Sequence, residues 1–266
     1  MDYRDKVELT YEFYKSLSRE DLDQKNQYFT GEAGNENNLL ARLFEYTVGL
    51  FDRNGFPEVL PDKYWECVNE PVYYHGFKDY DFGANILNHF NYHMGIGVSG
   101  NGFYLTKNYN QAYNYTLPAY NPFDNNPKDS RDSGKVLSVK LTGNKMLYRR
   151  LGYLVDILTG AEKLDEEMFD EHELEKVTTI LNFLNEKKKD ESLTVKMFLF
   201  MIDNNPTILA NMLGVDYLDL YNKEGDNPFI IVLNRSSMVV KESDKDRFTQ
   251  NSTHYKSGGY DESGNN

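Results

Sequence analysis

The sequence predicts an α+β fold, with a strand-built core and helices packed around it. Strand-like runs occur at separated places: residues 72–77, 102–106, 135–141, 216–221 and 229–233. Long segments of helical periodicity divide them. Their spacing does not give the regular alternation of strand and helix that a βαβ sheet requires. At 266 residues the chain has room for one large domain or two small ones.

Taken in order, residues 1–70 read as mostly helical. Val7, Tyr11, Tyr14 and Leu17 recur at helical spacing, and Leu39, Leu40, Leu43, Phe44, Val48 and Leu50 form a stronger stripe. Between them, residues 30–37 are a Gly- and Asn-rich loop. A helical cap on the following domain is the preferred reading of this region over a partner-binding arm. Val72 to Phe77 reads as a strand, followed by a soft segment with one weak helix over 86–93. Gly102 to Thr106 is a second strand, and Asn108 caps a short helix running to Leu117. Residues 118–134 form a Pro-, Asn- and Asp-rich loop before an alternating strand at 135–141. Residues 144–213 are again helical, and the last of these helices has Pro206 near its start and Gly214 at its end. Strands at 216–221 and 229–233 flank a turn at 222–227, and a Ser-, Gly- and Asn-rich tail from Thr249 is expected to be flexible.

Composition excludes several classes of function. The net charge of −13 argues against broad electrostatic capture of nucleic acid or anionic membranes. Lone Cys67 excludes an intrachain disulfide and a multi-cysteine zinc site, and fits a reducing compartment. The charged N-terminus lacks the apolar stretch of a signal peptide, and no apolar run approaches the ~20 residues of a membrane helix. A cytoplasmic protein with no membrane contact is expected. The 21 Tyr and 16 Phe suit grooves with polar rims, although compositional bias explains the excess more simply.

Three motifs carry candidate chemistry. Gly95-Ile96-Gly97-Val98-Ser99-Gly100 spells the dinucleotide fingerprint, but a strand follows it where a helix is needed, so it reads as a loop. His89 and His93 have the spacing of a metal pair without a third ligand, and no metal is expected. The third motif joins two stretches about thirty residues apart. Val72-Tyr73-Tyr74-His75-Gly76-Phe77 sets an imidazole beside a glycine, where a ligand can approach the backbone. Gly102-Phe103-Tyr104-Leu105-Thr106 sets Tyr104 eleven residues before Tyr115, so a strand–turn–helix carries two rings that suit a flat ligand. On periodicity alone, a satisfied core histidine and core tyrosines are the preferred reading of this pattern.

Tyr-His-Gly, then Gly-Phe-Tyr-Leu-Thr, then Ala112-x-x-Tyr115 resembles the NAD-binding core of ADP-ribosyltransferases, in the branch of diphtheria toxin and the poly(ADP-ribose) polymerases. The likeness is clear over about 45 residues, and looser order extends over 71–240. The resemblance implies a split β-sheet core with helical insertions: a helical region at 1–70, a catalytic domain at 71–248 and a tail at 249–266. It implies NAD as co-substrate. His75 would bond a ribose hydroxyl, the Gly76 backbone would hold the carboxamide, and Tyr104 and Tyr115 would enclose the nicotinamide ring. Phe229 falls where the family often has Glu, and Asp226, just before that strand, is the candidate replacement catalytic carboxylate. Family members without the Glu are typically mono-transferases or inactive. The resemblance therefore implies a mono-ADP-ribosyltransferase like bacterial or phage effectors of toxin–antitoxin or phage-defence modules. A protein or nucleic-acid acceptor and an antitoxin protein are the expected partners. An NAD glycohydrolase and an inactive NAD- or ADP-ribose-binding module are the alternatives.

Overall fold

The computed structural model describes residues 1–17, 39–53, 55–88, 96–97, 99–116, 132–220 and 229–253. Helix α1 (Tyr3–Ser16) begins where the Asp2 carboxylate accepts the Asp5 N–H at 2.8 Å, and α2 (Leu39–Leu50) follows it. The two apolar stripes are what bury these helices: Val7, Tyr11, Tyr14, Leu40, Leu43 and Phe44 are all inaccessible or nearly so. Strand β1 (Glu58–Leu60) and helix α3 (Asp62–Cys67) lead into β2 (Val72–Gly76) and α4 (Tyr80–Asn88). Next come the small hairpin β3 (Ile96–Gly97) and β4 (Gly100–Asn101), strand β5 (Phe103–Thr106) and helix α5 (Tyr109–Tyr115). Strands β6 (Val136–Leu141) and β7 (Lys145–Leu147) precede four helices: α6 (Tyr148–Thr159), α7 (Glu171–Lys187), α8 (Ser192–Asn204) and α9 (Thr207–Leu213). The described chain closes with β8 (Tyr217–Asp219), β9 (Phe229–Val232), β10 (Met238–Lys241) and α10 (Glu242–Asn251).

Eight of these strands form one mixed sheet in the order β1-β10-β6-β2-β5-β9-β8-β7. The outermost pairings, β1 with β10 and β7 with β8, are parallel, and the inner ones are antiparallel. The fold is therefore mixed α and β, as the separated strand runs predict. Alternation along each strand sends side chains into two cores. One core holds Tyr73, Phe103, Leu105, Leu137, Val139, Ile230 and Val232 under α4 and α10. The other holds Leu218, Ile231 and Leu233 under a layer built from α1, α2 and α6 to α9. The N-terminal helices thus pack into the same core as the later helices.

The sheet is nearly divided in the middle. Strand β2 shares five register pairs with β6, and β5 shares four with β9. Between β2 and β5 there is one, Tyr74 with Thr106. Beyond Tyr74 the two strands part, leaving that edge of each without a sheet neighbour.

Several elements differ from the sequence reading. The edge strands β1 and β7 are three residues each, too short to show an alternation, and both fall in segments read as helical. Helix α4 starts earlier than predicted, at Tyr80, and the predicted continuation over 89–93 lies outside the described residues. Helix α10 was not predicted because it is polar on every side except at Phe248. It runs to Asn251, and the Asp81 carboxylate accepts the Thr253 N–H at 2.8 Å and its hydroxyl at 2.6 Å. The expectation of a flexible tail from Thr249 is thus corrected for residues 249–253, which α4 holds in place; 254–266 lie outside the described residues. So do the predicted loop at 30–37, nearly all of the one at 118–134 and the turn at 222–227. No helix among the described residues is long and apolar enough to cross a membrane.

Candidate functional site

The two singled-out stretches meet at the parting of the sheet. Strand β2 carries His75 and Gly76, and β5 carries Tyr104, on neighbouring strands although 29 residues separate His75 from Tyr104. The His75 ring packs against both Phe77 and Phe103, with centroids 4.5 and 4.4 Å away. Its Nδ1 is 2.5 Å from the Tyr104 carbonyl oxygen. A carbonyl only accepts, so Nδ1 carries the hydrogen and Nε2 of the neutral ring is an acceptor. Burial pushes the imidazole pKa down to about 4, against a smaller opposing effect of the Tyr104 carbonyl. His75 is therefore uncharged at neutral pH, and its bond spans the gap where backbone pairing stops.

Gly76 faces α5. A Cβ added there would overlap the Ala112 carbonyl and come within 3.2 Å of Thr116 Cγ2. The bare backbone thus admits a helix, and any side chain would push α5 away. Asn108 starts that helix as predicted, its Oδ1 accepting the N–H groups of Asn110 and Gln111 at 3.0 and 3.3 Å. Thr106 ties the strand to the helix by donating to Gln111 Oε1 at 2.7 Å.

Tyr104 is half-buried against the helical core, and its hydroxyl donates to the Gly100 carbonyl at 2.7 Å. Burial raises its phenol well above the ordinary range, so it remains a neutral donor. Tyr115, the last residue of α5, is 55% exposed, leaving its ring free to cover a ligand. Phe229 opens β9 and pairs in register with Thr106. Alternation therefore puts Gly76, Tyr104, Thr106 and Phe229 on the sheet face that α5 covers. His75 lies on the reverse face, with Phe77 and Phe103, and reaches Tyr104 through the parting. Asp226 lies outside the described residues, as do His89 and His93.

What is assembled here is uncharged: an imidazole, phenols, a phenyl ring and strand backbone without ladder pairing. Such a surface offers hydrogen-bond donors and acceptors together with aromatic faces for a flat or cationic ring. No three His, Cys, Asp or Glu side chains among the described residues cluster as metal ligands. A cavity of about 280 Å³ lies elsewhere, between β7, α6 and α7, and none of the chosen residues lines it. Three of its charged side chains are engaged: Arg150 Nε donates to Glu173 at 3.1 Å, and Lys176 donates to the Leu213 carbonyl at 2.8 Å.

Sequence reasoning missed the residues that hold the turn ahead of β5. Asn101, Asn205 and Thr207 are fully buried and bonded to one another beside Gly100. Asn205 and Thr207 flank Pro206, a recognisable helix boundary, but nothing in the sequence pairs that boundary with residues a hundred positions earlier. Compared with protein-family models, curated proteins and solved structures, the chain matches none.

Proposed function

We propose that the protein is an NAD-dependent mono-ADP-ribosyltransferase acting on a macromolecular acceptor. The observation that carries this reading is the His75–Tyr104 contact at the point where the sheet parts. It joins the two stretches whose resemblance to ADP-ribosyltransferases motivates the proposal.

In this reading, His75 Nε2 accepts a hydrogen bond from a ribose hydroxyl of NAD, and the Gly76 backbone bonds the carboxamide. Tyr104 and Tyr115 take the nicotinamide ring between them, and the positive charge of that ring suits their faces. Helix α5 is the wall of the site, because it rests on bare Gly76 and carries Tyr115 at its end. The bond from ribose C1′ to the nicotinamide nitrogen breaks, and its electron pair neutralises the departing nicotinamide. The acceptor nucleophile then bonds C1′ and gives up its proton to solvent or a nearby base. The ribose passes through an oxocarbenium-like state, as in glycoside cleavage. A dry pocket favours transfer over hydrolysis. Phe229 supplies no carboxylate to stabilise that cation; Asp226 takes this role. The absence of a glutamate at that position fits single transfer. The acidic chain favours a protein acceptor over nucleic acid. An effector of a toxin–antitoxin or phage-defence module is the setting, with an antitoxin protein as partner.

Incubation with labelled NAD and lysate, followed by separate protease and nuclease digestion, tests the proposal. Label lost with one digestion is expected, and names the acceptor class. Free ADP-ribose released at the same rate without lysate would instead make the protein an NAD glycohydrolase. Intact NAD with no label in any fraction would leave a binding module. His75→Ala and Tyr104→Ala should each abolish labelling with the thermal melt nearly unchanged. Full activity in both would overturn the site.

A further inference from the structure

A fully buried polar cluster lies against Gly100, whose carbonyl receives the Tyr104 hydroxyl. Asn205, at the junction of α8 and α9, accepts the Asn101 N–H at 3.1 Å and the Thr207 hydroxyl at 2.6 Å through Oδ1. Its Nδ2 donates to Asn101 Oδ1 at 2.5 Å. The backbone N–H of Asn101 only donates, so it fixes which end of the Asn205 amide faces it. Asn101, Asn205 and Thr207 are 0%, 1% and 0% exposed, so water replaces none of these bonds if one is removed. Gly100 lies against the same cluster at φ +114°, and an added Cβ would stand 2.6 Å from Asn205 Oδ1. The Gly100 carbonyl, in turn, receives the Tyr104 hydroxyl at 2.7 Å.

The cluster is a poor way to gain stability. Asn101 Nδ2 is buried with no hydrogen-bond partner among the described residues. Apolar side chains in that volume would leave no such donor. What the cluster does achieve is a fixed position for one turn, and through it for one carbonyl and one phenol.

We infer that Asn205, assisted by Thr207, is the positioning residue of the Tyr104 wall. It clamps the Gly100–Asn101 turn to the α8–α9 junction, so that the helical layer sets where the Tyr104 ring stands. The functional meaning of this clamp rests on the proposed NAD site; its geometry does not.

The test uses the full chain with tyrosines labelled at ¹³Cζ, the Tyr104 signal being assigned by its loss in Tyr104→Phe. Asn205→Ala and the milder Thr207→Val should shift or broaden that signal, while Thr207→Ser, which keeps the hydroxyl, restores the wild-type position. Asn211→Ala is the control. Asn211 is a fully buried asparagine on α9 that donates to Thr47 Oγ1 at 3.3 Å. Its loss should weaken the fold and leave the Tyr104 signal in place. In NAD turnover, Thr207→Val should lose about tenfold in kcat/KM and Thr207→Ser little. An unmoved Tyr104 signal in Thr207→Val, or an equal movement in Asn211→Ala, overturns the inference. A wild-type protein that leaves NAD intact refutes the enzyme while the tyrosine signal still decides the clamp.

Discussion

Acidification probes the site through one group, because burial holds His75 neutral against Phe77 and Phe103. Its pKa stands at about 4, against an ordinary value of 6.5. A folded-state pKa below the unfolded one means that the unfolded chain binds the proton first. The stability contributed by neutral His75 is therefore complete above about pH 6.5 and is lost as pH falls to about 4. At about 1.4 kcal/mol per pKa unit, that difference is worth roughly 3 kcal/mol. With a urea dependence of about 1–3 kcal/mol per molar, it moves the unfolding midpoint by about 1–3 M. Other groups titrate in the same range, so the measurement is a difference between the wild type and His75→Phe. The variant keeps a ring against the two phenylalanines, cannot titrate, and lacks the bond to Tyr104 at every pH. Urea midpoints from pH 7 to pH 4 should fall more steeply for the wild type. Parallel curves would refute the buried, neutral assignment, as would an imidazole proton signal of His75 that titrates near 6.5.

Two further expectations concern what holds the site. Gly76→Ala drives a methyl group into the Ala112 carbonyl, so α5 must shift or the strand must bend; overpacking of this kind costs about 1–3 kcal/mol. Urea unfolding should register that loss, and an unchanged midpoint would mean that α5 does not rest on the strand. Phe248→Ala removes a fully buried ring, 5.2 Å from Phe77, that sits in the notch above Gly83. A loss of about 3–5 kcal/mol is expected by thermal or urea melting, and a loss well under 1 kcal/mol would show that α10 is not part of the core.

The parts of the fold legible in the sequence were those whose signal is local. Asn108 capping α5, Gly214 ending α9 and the apolar stripes of α1 and α2 are read within one or two turns of chain, and the structure carries each of them. Elements specified by distant partners were not legible. Helix α10 shows almost no apolar stripe because Phe248 is its one buried apolar side chain, set in a notch made by Gly83 more than 160 residues earlier. Strand β1 exists because β10 offers it an edge to pair with. The same divide runs through the site. His75-Gly76 and Tyr104 were visible as local patterns, but their faces were not, because a strand's two faces are told apart only by what packs on each. Alternation sends His75 to the α4 and α10 side, and Tyr104 to the side of α5 and the helical layer. Their meeting through the parting of the sheet depends on a register of one pair, which no local pattern encodes.

Strand β5 is where the two cores act on one residue. Phe103 and Leu105 belong to the core under α4 and α10, and Tyr104 between them packs on the helical core. From the first side, Phe248 presses on Phe77, and Phe77 and Phe103 hold the His75 ring whose Nδ1–H binds the Tyr104 carbonyl. From the second, Asn205 and Thr207 hold the turn whose Gly100 carbonyl binds the Tyr104 hydroxyl. One core thus fixes the backbone of Tyr104 and the other its side chain. With backbone pairing between β2 and β5 reduced to one register pair, these contacts do the work that a ladder of hydrogen bonds does elsewhere in the sheet. A sheet closed by regular pairing at this point would have no strand edge to offer a ligand. A sheet parted without such contacts would leave Tyr104 free to swing. The arrangement leaves β2 and β5 unpaired beyond Tyr74 while holding the Tyr104 ring in place.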